Sequence, residues 1–405
     1  MWLIKMAWKN MWRNRNRTII TMAAIFFAVI LSVIASSLQK GIFDNLVKNV
    51  VSFYTGYVQV HKQGYWDEQI LDNSFESSAA TEQKILQDEN VTAITSRLES
   101  FALVSSADIT KGSLVVGINP EKENQITLLK NKLTQGSYLN DDDNAVLLSQ
   151  GLAERLKLKA GDTIVLIGQG YHGATAAGKY YIKGILKFGS PDLNDKTLFM
   201  PLAAAQDFYS AYGMITSYIL LLKDTRNLQA TASSIRKTLG PAYEVMTWEE
   251  ILPDIKQHIK ADSSSMKYIQ GILYILICFG IFGTLLMMMV ERKFEMGMLV
   301  AIGMKKTKLI ILLLAESVFT VLAGCLLGIM ASIPLVYYLN RYPLKMGGET
   351  AKAYERFGFE AIFPTSVEAS NFINQGLIVL VIGLLLSLYP MYKVIRLNAV
   401  TAMKR

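Results

Sequence analysis

Four stretches of this 405-residue chain hold no acidic or basic side chain, and those gaps decide what it can fold into. No Asp, Glu, Lys or Arg lies between Arg17 and Lys40, Lys267 and Glu291, Glu316 and Arg341, or Glu368 and Lys393. Each gap is 22 to 24 residues long and consists mostly of Leu, Ile, Val, Phe, Met and Ala. A hydrocarbon core about 30 Å thick needs roughly 20 apolar residues in an α-helix, so the gaps read as four membrane-spanning helices. More than 220 residues of ordinary polar sequence separate the first gap from the second. The expected fold is an integral membrane α-helical protein with four transmembrane helices plus a large α+β extracytoplasmic domain between helices one and two.

Net charge, +8 overall, is informative only when divided by segment. Residues 1–38 carry five basic groups and no acid, 291–308 carry five basic and two acidic, and the tail after Tyr392 carries four basic and none acidic. The loop between the third and fourth gaps balances four against four, and the large domain is mildly acidic, with 23 basic and 26 acidic residues. The positive-inside rule then puts both termini and the 291–308 segment in the cytoplasm, with the large domain and the 341–368 loop outside. This accounts for the basic pI without nucleic acid.

The expected boundaries are an interfacial helix over 1–17, spans over 18–39, 268–290, 309–340 and 369–392, the large domain over 40–267, cytoplasmic segments over 291–308 and 393–405, and a short outer loop over 341–368. The first apolar run exceeds the roughly 7–15 residues of a signal-peptide h-region, which argues against a cleaved leader. Before it, Lys5, Lys9 and Arg13 recur every four residues beside a stripe of Ile4, Trp8 and Trp12. That pattern suits a helix lying along the inner leaflet with its indoles at headgroup depth.

Within the large domain, Tyr57–His61, Ser113–Val116, Thr163–Ile167, Tyr180–Ile185 and Tyr218–Leu222 alternate like half-buried strands. Segments resembling amphipathic helices, such as Ser149–Leu156, Ala203–Tyr209 and Leu228–Leu239, lie between them. Cys278 and Cys325 both fall in spans, and His61, His172 and His258 are far apart in sequence, so neither a disulfide nor a metal site is expected in the domain. The run Gly173–Tyr180 approaches the phosphate-cradling pattern G-x-x-x-x-G-K-[ST]. Tyr180 cannot supply the magnesium-binding hydroxyl, however, and a strand rather than a helix is expected to follow. No catalytic constellation is evident, and the chain is expected to be neither an enzyme nor a nucleotide-binding protein.

The most specific stretch is Val290-Glu291-Arg292-Lys293-Phe294-Glu295-Met296-Gly297-Met298-Leu299-Val300-Ala301-Ile302-Gly303. It resembles the E-R-x-x-E-I-G-x-L-R-A-I-G signature of FtsX-like, or MacB-type (type VII), ABC transporter permeases, with Met296 for the usual Ile and Val300 for the usual Arg. Further resemblance lies in Gly324-Cys325-Leu326-Leu327-Gly328 after Glu316, in Val146–Gly168, in Asp192–Leu202, and in the closing Tyr389-Pro390…Arg396–Arg405. Thr55-Gly56-Tyr57-Val58-Gln59-Val60 is similar to the T-G-H-V-Q-I segment of Lol-type lipoprotein-releasing permeases, with Tyr57 for His.

The resemblance implies that 291–308 holds a coupling helix docking on a separate cytoplasmic ATPase through Glu291, Arg292, Glu295, Met296, Leu299 and Val300. ATP and Mg would bind that partner and not this chain. It also implies mechanotransmission in a dimer with a second permease, identical or paralogous, in a bacterial inner membrane with the large domain periplasmic. The Lol-type likeness implies extraction of lipoproteins for a periplasmic carrier, with acyl chains near Leu38, Ile42, Leu46, Tyr268, Ile269 and Ile272. Export of peptides or amphiphilic drugs in the manner of MacB, and FtsX-like regulation of cell-wall hydrolases, are the alternatives. Gly324 and Gly328 form a small-xxx-small face that fits close helix packing and could mark a dimer seam. Glu316, eight residues after Lys308, is expected to make a structural ion pair near the inner interface.

Overall fold

The computed structural model describes residues 2–13, 15–106, 109–345, 347–349, 351 and 362–396. The closing motif beyond Arg396, with most of the tail expected over 393–405, lies outside the described residues, as do parts of the 341–368 loop. The chain divides into two compact bodies, a helical one and an inserted α+β domain.

Four helices of the helical body are long and apolar enough to cross a membrane, the first starting at Thr18 and the others spanning Pro253–Glu291, Lys306–Arg341 and Ala369–Ile395. The first belongs to a helix over Arg15–Val50, preceded by the amphipathic helix Trp2–Arg13. The amphipathic helix buries Ala7 and Met11 and leaves Trp8 and Trp12 exposed. Residues Ile25, Val29 and Val33 of the first long helix meet Ile277, Ile281 and Leu285 of the second, Val321 and Cys325 of the third, and Phe372 and Val379 of the fourth.

Glycines determine how closely these helices approach. A Cβ placed on Gly324 would lie 2.9 Å from Ile25 Cβ, and one on Gly328 would lie 2.8 Å from Val29 Cβ. Ile25 and Val29, four residues apart, therefore seat on two glycines four apart, since such spacing brings side chains onto one helix face. The fourth helix repeats the device: a Cβ on Gly383 would meet Val321 at 2.8 Å.

The inserted domain is built on one mixed sheet of ten strands among the described residues. They are β1 (Val58–Lys62), β2 (Val91–Ser106), β3 (Ile109–Ile118), β4 (Leu133–Gly136), β5 (Ala145–Ser149), β6 (Thr163–Gln169), β7 (Thr175–Leu186), β8 (Thr197–Pro201), β9 (Ser217–Leu222) and β10 (Tyr243–Thr247). The order is β10-β1-β9-β2-β3-β8-β5-β7-β4, with β6 bridging β2 and β7. Most neighbours are antiparallel, while β3 pairs with β8, and β5 with β7, in parallel. Strands β5 and β8 are buried at every position, so they read as continuous apolar runs rather than alternating ones. One face of the sheet packs Val115, Val146, Leu148, Leu198 and Met200 into a core, and the other packs Val116, Leu147 and Phe199 into a second. Gly173 closes a turn that leads into β7, so the run resembling a phosphate loop is followed by a strand.

Candidate functional site

The short helix Lys293–Ala301 follows the second long helix directly. It ends in a Schellman turn: Gly303, at φ +101°, donates its N–H to the Val300 carbonyl, and Met304 donates to Leu299, both at 3.0 Å. The turn fixes where the third long helix begins.

The expected docking residues fall on different sides of this helix. Arg292 and Met296 are buried, Leu299, Val300 and Glu295 are half-buried, and Glu291 is exposed. Arg292 donates through Nη1 to Glu316 Oε2 inside the bundle. Glu316 thus has its structural ion pair, with Arg292 as the partner and not a lysine of the 305–308 run. Met296 packs with Ala7, Leu309, Leu312 and Val394, and Leu299 and Val300 pack against that cluster. Glu295 pairs at 3.4 Å with Arg13 of the amphipathic helix.

The helix is consequently clamped on one side by an ion pair and an apolar cluster. Its outward side carries Phe294, Met298 and Ile302, which are 53%, 42% and 77% exposed. They are spaced four residues apart and so form one stripe. A sequence reading that follows a family signature does not separate the buried side of such a helix from the exposed one. The signal was present in the period-four recurrence of large apolar residues.

The residues expected to meet acyl chains differ in exposure. Tyr268, Ile269 and Ile272 are exposed, whereas Leu38, Ile42 and Leu46 are half-buried. A neutral polar network nearby had no sequence signature. Gln375 Oε1 of the fourth long helix accepts from Ser32 Oγ of the first at 2.5 Å and from the Tyr274 hydroxyl of the second at 2.6 Å. Gln270 Nε2 donates to that hydroxyl at 2.9 Å. These bonds tie three helices together where water is scarce.

Gly324 and Gly328 face the first long helix of the same chain, so that face is already covered. Alanine at either position is expected to destabilise the helical body by about 1–3 kcal/mol, the usual cost of overpacking, because the obstructing atoms are Cβ atoms and not flexible tips. Thermal unfolding in lipid nanodiscs checks this. Unchanged melting with weakened self-association would instead put the glycines at a seam between copies.

Among the described residues no group of three or more His, Cys, Asp or Glu could hold a metal ion.

Comparison with known proteins places these features in a family. The MacB-like periplasmic core domain matches residues 18–238, and the FtsX-like permease C-terminal region matches 269–399. The chain is 20% identical over 331 residues to the lipoprotein-releasing system transmembrane protein LolC of Xylella fastidiosa, covering 79% of each chain. It is 24% identical over 347 residues to the macrolide export ATP-binding/permease protein MacB of Escherichia coli, covering 81% of this chain and 51% of that one. An uncharacterised ABC transporter permease of Methanocaldococcus jannaschii, MJ1507, is 22% identical over 224 residues, 53% of this chain and 54% of its own length. The chain thus spans about half the length of MacB and of the archaeal relative. Among solved structures, the periplasmic region of MacB from Actinobacillus actinomycetemcomitans matches 51% of this chain and 94% of its own, at 13% identity and a TM-score of 0.36. With one family region covering more than half of the chain and a second covering the C-terminal helices, the protein belongs to the FtsX-like, MacB-type ABC transporter permeases.

Proposed function

We propose that this permease works by mechanotransmission, coupling ATP hydrolysis on a separate cytoplasmic ATPase to extraction of lipoproteins from the bacterial inner membrane. The observation that carries the reading is the short helix Lys293–Ala301, clamped by Arg292–Glu316 and Met296 while Phe294, Met298 and Ile302 stand outward. A partner pressing on that stripe moves a rigid lever and not a loose loop. In this reading the termini and the short helix are cytoplasmic, the inserted domain is periplasmic, and a second permease, identical or paralogous, completes the transporter. The likeness to LolC over most of both chains supports lipoprotein cargo, passed on to a periplasmic carrier. The likeness to MacB supports a second reading, outward export of peptides or amphiphilic drugs.

The test is reconstitution of the permease with its co-purifying ATPase in nanodiscs carrying a triacylated lipoprotein. Stimulated hydrolysis with release of the lipoprotein to a soluble carrier is expected. A competent complex that shows neither effect transfers the assignment to export. Phe294→Asp and Met298→Asp are each expected to weaken ATPase association at least tenfold, since either puts a carboxylate into an apolar contact. Undiminished association would remove the stripe from the docking surface.

A further inference from the structure

Tyr54 lies in the π-helical turn Val51–Thr55 that ends the first long helix, and Ile251 and Leu252 immediately precede the second. Together with Tyr65, Trp66, Phe101 and Leu114 they wall a cleft of about 230 Å³ within the inserted domain. Its polar lining consists of Thr55, Ser100, two glutamines, Gln59 and Gln69, and one carboxylate, Glu99. No basic side chain lines it.

The charge of Glu99 is only partly answered. Arg97, wholly buried, spends its strongest bonds elsewhere: Nε and Nη2 reach Glu123 Oε2 and Oε1 at 3.0 and 2.6 Å, and Nη2 also reaches the Tyr54 carbonyl at 2.7 Å. What remains for Glu99 is a 3.3 Å bond from Arg97 Nη1 and the Tyr54 hydroxyl, both to Oε1. Among the described residues Oε2 accepts no hydrogen bond. His61 stacks behind Tyr65 at 4.9 Å, and burial pushes its pKa down, so it adds no positive charge. With the Tyr54 ring already under the Arg97 guanidinium at 4.3 Å, the cleft joins an under-compensated carboxylate to the aromatic side chains of Tyr65, Trp66 and Phe101, a combination that favours cations carrying apolar groups.

We propose that this cleft binds an organic ammonium ion through Glu99, with its aromatic or short alkyl body held by Tyr65, Trp66 and Phe101. Drug-sized pockets occupy about 300–1,000 Å³, so this one takes a small head group and not a folded polypeptide. The shared chemistry is the ammonium, whether free or on a phosphatidylethanolamine head group. The site is independent of the cargo assigned above.

Phenethylammonium serves as the probe and neutral 2-phenylethanol as its control, each titrated against tryptophan emission of the full-length protein in phosphatidylglycerol nanodiscs. Saturable binding of the amine, at least tenfold tighter than the alcohol, is expected. Trp66→Phe should abolish the signal, and Glu99→Gln should weaken the amine tenfold while leaving the alcohol unchanged. Phe101→Ala, on the exposed rim, should weaken both several-fold without touching the buried ion pair. Competition by phosphatidylethanolamine in the nanodisc would identify the lipid as a source, and its absence would leave free amines. Equal binding of amine and alcohol, or full retention by a folded Glu99→Gln protein, overturns the proposal.

Discussion

Replacing Arg97 with Ala is expected to destabilise the inserted domain by about 3–5 kcal/mol, the cost of stranding one member of a buried ion pair. Glu123, likewise inaccessible to water, would lose both guanidinium bonds and retain the 3.0 Å bond it accepts from the Thr127 hydroxyl within the helix Pro120–Thr127. The guanidinium also lies over the Tyr54 ring at 4.3 Å, so its removal loosens the turn that follows the first long helix. Burial works against the Arg97 charge, but Glu123 overrides it and raises the pKa above the ordinary arginine value. Denaturant unfolding followed by domain tryptophan emission would measure the loss. The double variant Arg97→Met, Glu123→Leu should recover much of it, because a buried pair and an apolar pair of similar volume are often close in stability. If the double variant is no better than Arg97→Ala, the guanidinium acts through its bonds to Tyr54 and not through the ion pair.

The second large effect concerns Lys132. Burial pushes its pKa from 10.5 down to about 7, with Glu123 opposing and Arg97 assisting. Between pH 7 and 10.5 the unfolded chain therefore holds a proton that the folded chain has released. Folding stability should rise with pH across that window and level off below it, where both states are protonated. Lys132→Met removes the dependence, and its gain in stability is greatest at or below pH 7 and vanishes near pH 10.5. At about 1.4 kcal/mol per pH unit the full amplitude is roughly 5 kcal/mol, reduced by the lost 2.7 Å bond from Lys132 Nζ to the Thr127 carbonyl. Parallel stability profiles for the two proteins between pH 7 and 10 would show that Lys132 keeps its charge when folded.

Both cases concern charges that local sequence does not betray. The apolar gaps were legible because a membrane helix must be apolar along its whole length, and strands such as Thr163–Gln169 were legible because exposure alternates along them. Arg97 and Glu123 are 26 residues apart in a mildly acidic domain, where a charged residue ordinarily reads as surface. Arg292 was legible as part of a signature, but its burial depends on Glu316, 24 residues later on another helix. The cleft draws Tyr54, Tyr65, Phe101 and Ile251 from four separate places, so only the folded sheet reveals it.

The position of β1 in the sheet has a consequence for biosynthesis. This strand is made first, yet its neighbours are Ser217–Leu222 and Tyr243–Thr247, the last two strands of the domain to be synthesised. Until Leu222 has left the ribosome, and crossed the membrane if the domain is external, Val58–Lys62 has no partner on either edge, its second edge stays open until Thr247 follows, and closing so long a loop is slow. A nascent chain arrested before residue 217 should therefore expose to chaperones and proteases an unpaired strand that the folded domain buries at Val58–His61, whereas one arrested after 247 should resist both.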